Sequence, residues 1–260
     1  MKRTVKMISL MLLVLSISIA LLSCGNAEKK EQNANETEVE NTTENTVENK
    51  GEKYYVYDKM LCYANGTWLQ TVEWEYDDKG NVTKEINTFN GIGDPSITTT
   101  VFTYGESSRL EKSTRTNEEC SWIETTTYSY DENGNLTHED VESSTGDKTV
   151  TIHTYDANGR KTKTVFAPKG DLNTVTEFTY VYNEKGYLVK KSEKHYLGVE
   201  SAVEYTYDDN GRLAKEILSK ISNIVYKYNE KGILTETVYT HVTGETVTTY
   251  TYEGEHIFYK

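Results

Sequence analysis

A seven-residue pattern recurs along most of this chain and limits its possible folds more than any other feature of the sequence. A clear copy such as Tyr207–Leu213 has a tyrosine, Asp or Asn, two mostly polar residues, Gly, a variable residue and an aliphatic one. Successive anchor tyrosines are 21 to 28 residues apart, enough for two strands and two turns in each unit. The anchors are Tyr76, Tyr104, Tyr130, Tyr155, Tyr182, Tyr207, Tyr228 and Tyr252, with degenerate copies after Tyr104 and Tyr252.

The pattern predicts the turn of a β-hairpin. Asp or Asn favours the first position of a type I turn, and a glycine three residues later can adopt the left-handed conformation that closes a bulged three-residue loop. Tyr207 would then face Leu213 across the loop. The repeat-turn glycines, to which we assign a structural role, are Gly80, Gly134, Gly159, Gly186, Gly211 and Gly232. We expect a positive φ at the last five.

Alternating polarity precedes each anchor. An aromatic or similar residue stands two positions earlier, and the residue between is mostly polar; these earlier residues are Trp74, Phe102, Tyr128, His153, Tyr180, Tyr205, Tyr226 and Tyr250. Strand side chains alternate between faces, so this period predicts one aromatic sheet face and one mostly polar face. A lysine often follows the anchor by eight positions, as at Lys84 and Lys215, and we expect it opposite the earlier aromatic.

Together these features predict an all-β fold of antiparallel β-hairpin repeats that form one long curled sheet, with a disordered N-terminal tether. Asn65-Gly66 indicates a further hairpin before the first full repeat. We expect about 17 short strands from Tyr54 to Lys260. At about 4.8 Å per strand a flat ribbon would be roughly 80 Å wide, and open sheets that large curl. A spiral, a partial shell and a wide barrel all satisfy the pattern.

Residues 1–23 have the pattern of a secretory signal peptide. Three basic residues among the first six precede the apolar run Met7–Leu22, whose 16 residues fall short of a spanning helix. Leu21-Leu22-Ser23-Cys24 resembles the bacterial lipobox, which implies acylation of Cys24, cleavage before it and stable attachment to a membrane. An ordinary signal peptide and a permanent membrane span remain the alternatives.

Residues 24–52 form a second segment, the lipidated Cys24 followed by a tether rich in Asn, Glu and Thr. Residues 25–52 contain eight Glu and three Lys, and Val39 and Val47 are the only sizeable apolar residues. Such a segment buries too little apolar surface to offset its loss of entropy, so we predict that it is disordered. The third segment, residues 53–260, is the repeat domain.

The sequence does not indicate the chemistry of an active site. It contains no HExxH, paired CxxC, GxSxG or dinucleotide-binding pattern, and the Asp77-Asp78 pair stands where turn geometry alone favours Asp. We therefore predict no enzymatic activity, no metal and no cofactor. A net charge of −13 makes nucleic acid a poor partner. Whether Cys62 and Cys120 form a disulfide is left open.

Glu204–Leu213 and its equivalents resemble the YD repeats of Rhs proteins and teneurins, over residues 53–260. The resemblance implies a sheet of β-hairpin repeats, which in the large family members winds into a hollow shell around cargo. This chain is much shorter, and we expect neither a following toxin-like domain nor the segment that the family uses for self-cleavage. A small YD-repeat bacterial lipoprotein is therefore the better comparison. A second resemblance is to choline- or glucan-binding repeats, which carry regular Trp pairs, whereas this chain has three Trp.

These observations predict a non-enzymatic protein that is lipid-anchored in the bacterial cell envelope and faces the periplasm or the exterior. Its repeat sheet would serve as a binding or scaffolding surface for a protein or glycan ligand. The first alternative is a glycan- or cell-wall-binding module that stacks sugars on exposed aromatic rows, and the second is an enzyme that uses the inter-repeat loops. The exposure of Tyr128, Tyr180 and Tyr205 separates surface rows from core rows.

Connections between the units differ in length, as at 90–96 and 167–171, whereas the Asp-x-x-Gly turns keep one length. Uneven loops of repeat proteins gather on one side, often the binding side. We therefore expect any binding surface at the inter-repeat edge. Tolerated insertions without a function are the alternative explanation.

The lipid anchor leads to a first prediction. Cys24→Ala removes the thiol that would carry the acyl chains, so metabolic labelling with a fatty-acid analogue should detect no label on the variant and no lipoprotein-type processing. Label retained by the variant would show that the assignment of Cys24 is wrong.

Overall fold

The computed structural model describes residues 53–90, 94–117 and 119–259. The predicted signal peptide, Cys24 and the predicted tether lie outside these residues. Within them the chain forms strands and turns, and no helix of the length and apolarity of a membrane span occurs among them.

The described residues form sixteen β-strands in one antiparallel sheet. The strands are β1 (Lys53–Ala64), β2 (Thr67–Tyr76), β3 (Val82–Phe89), β4 (Ser96–Tyr104), β5 (Leu110–Asn117), β6 (Trp122–Tyr130), β7 (Leu136–Ser143), β8 (Lys148–Tyr155), β9 (Lys161–Pro168), β10 (Thr176–Tyr182), β11 (Leu188–His195), β12 (Glu200–Tyr207), β13 (Leu213–Ser219), β14 (Ser222–Tyr228), β15 (Leu234–His241) and β16 (Gly244–Tyr259).

Each strand pairs with its neighbours in the sequence, and the sheet closes into a barrel where β1 pairs with β16. This closing ladder is long, running from Lys53 opposite Tyr259 to Ala64 opposite Thr248. The all-β prediction is confirmed, and of the three curled forms the chain adopts the barrel. Asn65-Gly66 forms the predicted tight turn between β1 and β2, with φ values of 48° and 78°.

The expected strand count was one too high, because the last degenerate repeat does not form a turn. After Tyr252 the chain has Glu253 where other units have Asp or Asn, and His256 where they have Gly. Without these two turn residues β16 continues to Tyr259. The continued strand supplies the pairing surface that β1 uses to close the barrel.

The Asp-x-x-Gly turns have the predicted geometry. In the turn after β12, the Gly211 N–H donates to the Asp208 carbonyl at 3.0 Å and the Asp208 N–H donates to the Arg212 carbonyl at 2.8 Å. The Asp208 carboxylate also accepts the Arg212 N–H at 2.8 Å. The six repeat-turn glycines have φ between 73° and 87°, as expected. In the degenerate copy after Tyr104, Ser108 takes this position at φ 56°.

A β-bulge beside each of these turns corrects the expected position of the lysines. Tyr207 pairs with Leu213 as predicted, but the register then shifts, so that Lys215 lies opposite Thr206 and not opposite Tyr205. The same shift places Lys84 opposite Glu75. The lysines therefore lie on the polar face, because the bulge inserts one residue that the simple hairpin template does not contain.

Anchor tyrosines join each hairpin to the preceding one. Seven of the eight donate their hydroxyl to a backbone carbonyl of the preceding hairpin, at 2.7–2.9 Å. The donor and acceptor pairs are Tyr76 with Tyr57, Tyr104 with Val82, Tyr130 with Leu110, Tyr155 with Leu136, Tyr182 with Lys161, Tyr207 with Leu188 and Tyr228 with Leu213. The eighth, Tyr252, packs on Tyr57 with ring centroids 5.1 Å apart.

These hydroxyls act where backbone pairing between hairpins stops. The ladder between β13 and β14 ends at Lys215 opposite Val225, and the carbonyl of Leu213 lies beyond it. The Tyr228 hydroxyl donates a hydrogen bond to this carbonyl at 2.9 Å. A hydrogen bond of this kind contributes about 0.5–1.5 kcal/mol, and the arrangement recurs around the barrel.

Side chains that follow the turn glycines cover the next anchor ring. Tyr187 stacks on Tyr207 with centroids 4.8 Å apart, and the Arg212 guanidinium lies 5.0 Å from the centre of the Tyr228 ring. This stacking brings Tyr187 close to Gly211, where an added Cβ would lie 2.4 Å from the tyrosine oxygen. Gly211 is thus required both for its positive φ and for its lack of a side chain.

The second prediction separates these two requirements. Gly186 has φ +84° and open space where a Cβ would lie, whereas Gly211 has φ +77° and the Tyr187 contact. We expect Gly186→Ala to lower the free energy of unfolding by about 1–2 kcal/mol through backbone strain alone. Gly211→Ala should cost roughly 1 kcal/mol more, since Tyr187 must leave its stack. Denaturant titration measures both.

A double variant gives the control. When Tyr187→Ala is already present, Gly211→Ala should cost no more than Gly186→Ala does. Equal costs for the two glycine variants in the otherwise unchanged protein would contradict the assigned contact.

Candidate functional site

The two faces of the sheet differ in exposure, and the less exposed face lines the interior of the barrel. On β12, Tyr205 and Tyr207 are half-buried, while Thr206 between them is exposed. Tyr128 and Tyr180 are half-buried in the same way. In a single closed sheet the side chains of one face share the interior. The aromatic rows therefore belong to the inner wall, which favours a core role over a stacking surface on the outside.

A ring of sixteen side chains, which we call the inner belt, surrounds the interior at the level of the residues two before each anchor. Even-numbered strands contribute the aromatic row and odd-numbered strands contribute its cross-strand partners. The pairs are Trp74–Glu85, Phe102–Ser113, Tyr128–Glu139, His153–Thr164, Tyr180–Lys191, Tyr205–Glu216, Tyr226–Thr237 and Tyr250–Cys62.

Hydrogen bonds join the members of the inner belt. The Trp74 indole N–H donates to Glu85 at 2.9 Å, and the Tyr226 hydroxyl donates to Glu216 at 2.9 Å. The hydroxyls of Ser113 and Tyr128 lie 3.0 Å apart. The polar half of this ring was not predicted, because the bulge moves the ninth residue after the anchor inward. The recurrent polar residue at that position in the repeats was the signal available in the sequence.

His153 contacts two other members of the inner belt. Its Nε2 lies 2.8 Å from the Glu139 carboxylate and its Nδ1 lies 2.9 Å from the Thr164 hydroxyl oxygen, which also accepts the Tyr180 hydroxyl at 3.0 Å. A carboxylate, imidazole and hydroxyl in this order also occur in nucleophilic active sites. Here the histidine and the threonine are buried in the middle of paired strands, where the backbone N–H groups form the hydrogen bonds between strands. The chain of contacts thus links three hairpins.

Burial shifts the ionisation of the charged members of the inner belt. Burial lowers the pKa of Lys191, while Glu193 and Glu216 raise it. Burial also raises the pKa of Glu216, while the hydrogen bond from Tyr226 and the charge of Lys191 lower it. The Lys191 ammonium lies 4.5 Å from the centre of the Phe178 ring, a cation–π contact.

A circular barrel of this strand number is wider than a packed protein core. Sixteen strands about 4.8 Å apart give a circumference of roughly 77 Å and a backbone diameter of roughly 25 Å before strand tilt. Face-to-face sheets whose side chains interdigitate lie only about 10 Å apart. Each strand contacts its two neighbours in the sheet. The side chains of the inner belt are therefore held in place by contacts with residues of the neighbouring strands.

The two rims of the barrel differ. At the Asp-x-x-Gly rim all seven connections have five residues, from 77–81 to 229–233. At the inter-repeat rim the connections range from two residues, as at 220–221, to seven residues at 169–175. The prediction that uneven loops gather on one side is confirmed. The repeat-turn glycines and anchor tyrosines lie at the opposite, Asp-x-x-Gly rim.

The outer wall of the barrel is polar. Glu75 and Lys84 form an ion pair of 2.8 Å across β2 and β3, and Lys227 and Glu236 pair across β14 and β15. Exposed or half-buried threonines such as Thr206 fill neighbouring positions. Apolar residues also lie on this face, singly as at Val181 and as cross-strand partners such as Ile152 with Val165 and Val225 with Val238.

Other reactive groups do not converge. In the described ranges, 53–90, 94–117 and 119–259, His, Cys, Asp and Glu form no group of three that could hold a metal. The sulfurs of Cys62 and Cys120 are unpaired, the first buried in β1 and the second exposed between β5 and β6, so the disulfide that the sequence left open is not formed. Burial raises the pKa of the Cys62 thiol to about 11, which keeps it protonated and unreactive near neutral pH.

Solved structures with a similar fold include a porin-like protein from Bacteroides uniformis, with a TM-score of 0.51 and 13% sequence identity over 76% of this chain and 98% of that chain. A porin-like protein from Bacteroides vulgatus matches with a TM-score of 0.41 and 14% identity, over 76% and 98% of the two chains. The Tc holotoxin pore of Photorhabdus luminescens matches with a TM-score of 0.30 and 15% identity, over 71% of this chain and 12% of that chain. No protein-family profile and no curated protein matches the chain. The first similarity concerns the fold alone.

The third prediction concerns Glu216. Its folded-state pKa is raised, so the stability linked to its protonated form is present below the unfolded pKa and is lost as the pH rises through the folded value. Glu216→Gln, which is neutral at every pH, should therefore increase the free energy of unfolding at pH 7 relative to the unchanged protein. This gain should shrink below about pH 4.5.

Urea titrations at the two pH values test this expectation, with Glu132→Gln in an exposed turn as the control. The control should change the free energy of unfolding by less than about 0.5 kcal/mol at both values. If Glu216→Gln is the less stable protein at pH 7, the attraction of Lys191 outweighs burial and the assigned direction is wrong.

Proposed function

We propose that this protein is a non-enzymatic, lipid-anchored barrel of the bacterial cell envelope that binds or scaffolds a partner at its inter-repeat rim. In this proposal Cys24 carries the anchor, residues 25–52 form the tether, and the barrel is built from YD-type repeats. The observation that carries it is the contrast between a rim of seven equal turns and a rim of uneven loops. Equal turns maintain the repeat contacts, and uneven loops are free to differ without disturbing them.

The polar outer wall supports anchoring over spanning. Barrels that cross a bilayer with their strands present an apolar band about 25 Å tall to the lipid. Here the corresponding positions carry ion pairs such as Glu75 with Lys84. Such a wall suits water, so a lipidated Cys24 would supply the attachment to the membrane.

The environment of His153 supports a non-enzymatic role. Its contacts with Glu139 and Thr164 satisfy both ring nitrogens, and the Thr164 oxygen already accepts the Tyr180 hydroxyl. Both His153 and Thr164 are buried, so this hydroxyl is poorly accessible to a substrate. No free backbone N–H pair is available in the paired strands β8 and β9 to stabilise an oxyanion.

A glycan ligand is the second candidate, and the inner belt is the observation in its favour. Aromatic rings alternating with carboxylates and hydroxyls are suited to stacking on sugar rings and to bonding their hydroxyl groups. The aromatic rows are half-buried on the inner wall, so this ligand would have to enter the barrel.

The fourth prediction tests the position of the binding surface. Ala167 and Pro168 belong to β9, so the second long loop is 169–175, shifted from the expected 167–171. Replacing the 90–95 and 169–175 connections by Asn-Gly turns should abolish capture of partners from envelope extracts while moving the thermal midpoint little. The bait is the chain from Gly25, and purified wall glycans are assayed in parallel.

The matched control alters the other rim without changing its length, by giving residues 131–135 the sequence of residues 208–212. This variant should bind as the unchanged protein does. Full binding by the shortened protein would contradict the rim assignment, and glycan binding that survives in both variants would favour the inner belt.

A further inference from the structure

Among the residues that the structure describes, exposed apolar side chains of the hairpin connections lie in one part of the inter-repeat rim. Six of them lie in hairpin connections and are between 50% and 69% exposed: Leu172, Tyr196, Leu197, Val199, Ile221 and Val242. Turn positions usually hold small or polar residues, because their backbone faces water. Six large apolar side chains in such positions therefore need an explanation.

These residues lie in four consecutive connections of the inter-repeat rim. They lie in the connections 169–175, 196–199, 220–221 and 242–243, which join β9 to β10, β11 to β12, β13 to β14 and β15 to β16. Those eight strands are neighbours in the barrel, so the connections form a continuous half of the rim. We call this half, defined by its six apolar residues, the apolar crescent.

Charge divides the rim in the same way. The four connections of the apolar crescent contain Lys169 and Lys220 against a single acidic residue, Asp171, and all three are exposed. In the other half, the described residues of the four connections include no basic residue and three acidic ones, which are Asp94, Glu119 and Asp147. Glu200, which directly follows Val199, offsets the excess of one positive charge, so the apolar crescent is the less acidic part of the rim.

We propose that the apolar crescent inserts into the headgroup region of an anionic lipid bilayer. Apolar side chains flanked by lysines gain from burial at the acyl boundary and from attraction to acidic headgroups. The acidic half of the rim would be repelled by the same surface. The barrel would therefore be tilted on the membrane, with the apolar crescent facing the bilayer.

A second copy of the chain fits this surface less well. Neighbouring hairpins along the rim are two strand spacings apart, about 10 Å, so the apolar tips are separated projections. A protein partner needs roughly 800 Å² of closely packed surface on each side, whereas fluid lipid fills the gaps between projections.

The proposed anchor is compatible with this contact. β1 begins at the Asp-x-x-Gly rim and its twelve residues are about 40 Å long. A segment of 28 residues can extend to at most about 95 Å, so the length of 25–52 allows the contact. The lipid contact itself does not depend on the anchor and is testable without it.

The fifth prediction uses the chain from Gly25, which lacks Cys24 and keeps all sixteen strands of the closed barrel. Co-sedimentation with phosphatidylglycerol-containing vesicles should show binding, and Leu197→Asn, Ile221→Asn and Val242→Asn together should weaken it at least about tenfold. The matched control replaces exposed apolar residues of the strands, Val101→Asn, Ile123→Asn and Val181→Asn, and should bind as the unchanged chain does.

Charge is tested separately. Lys169→Gln with Lys220→Gln should reduce binding to anionic vesicles and leave binding to phosphatidylcholine vesicles unchanged. The proposal is wrong if the unchanged chain does not bind vesicles or if the crescent variant binds as tightly as the control. A concentration-dependent dimer that the crescent substitutions dissociate, without vesicle binding, would show that the partner is a second copy. Because the bait carries no acyl chain, these outcomes are independent of Cys24.

Discussion

The barrel depends on the hydroxyl groups of its anchor tyrosines. Backbone ladders between successive hairpins stop before the Asp-x-x-Gly rim, for example at Lys215 opposite Val225. Beyond that point the Tyr228 hydroxyl bonds the carbonyl of Leu213, and equivalent bonds recur at six other anchors. Without them each hairpin would be free to splay from the next at this rim. The tyrosine is therefore required by the sheet, which explains its recurrence without any ligand.

Turn geometry and packing are coupled at the same rim. The left-handed Gly211 lies under Tyr187 of the preceding unit, and Tyr187 stacks on the anchor ring of Tyr207. The hydroxyl bond recurs at seven anchors, and a ring contact is added where Tyr or Arg follows the turn glycine, as at Tyr187 and Arg212. These contacts lie at the Asp-x-x-Gly rim, so the opposite rim does not have to maintain them. Loop length, charge and polarity vary there, and this freedom is the basis for placing partner binding at the inter-repeat rim.

Bulges decide which residues enter the barrel. The anchor and the residue two before it face inward, as the period of two predicted. One inserted residue beside each turn then moves the eighth position after the anchor to the outer wall and the ninth to the inner belt, where Glu216 meets Tyr226. The template derived from the sequence therefore identified the aromatic half of the belt and missed the polar half, because a bulge changes the register by one and reverses the face of every later residue.

The sequence by itself determined the repeat, the turn at each glycine, the all-β class and the uneven loops, because each depends on residues within one hairpin. Glycine conformations and Tyr207 opposite Leu213 are local in this sense. Closure into a barrel, the unpaired cysteines and the apolar crescent were decided only by the tertiary structure. Closure pairs β1 with β16, strands at opposite ends of the repeat domain, and it follows from twist accumulated over the whole sheet. The crescent likewise exists only because closure places four separate connections side by side on one rim.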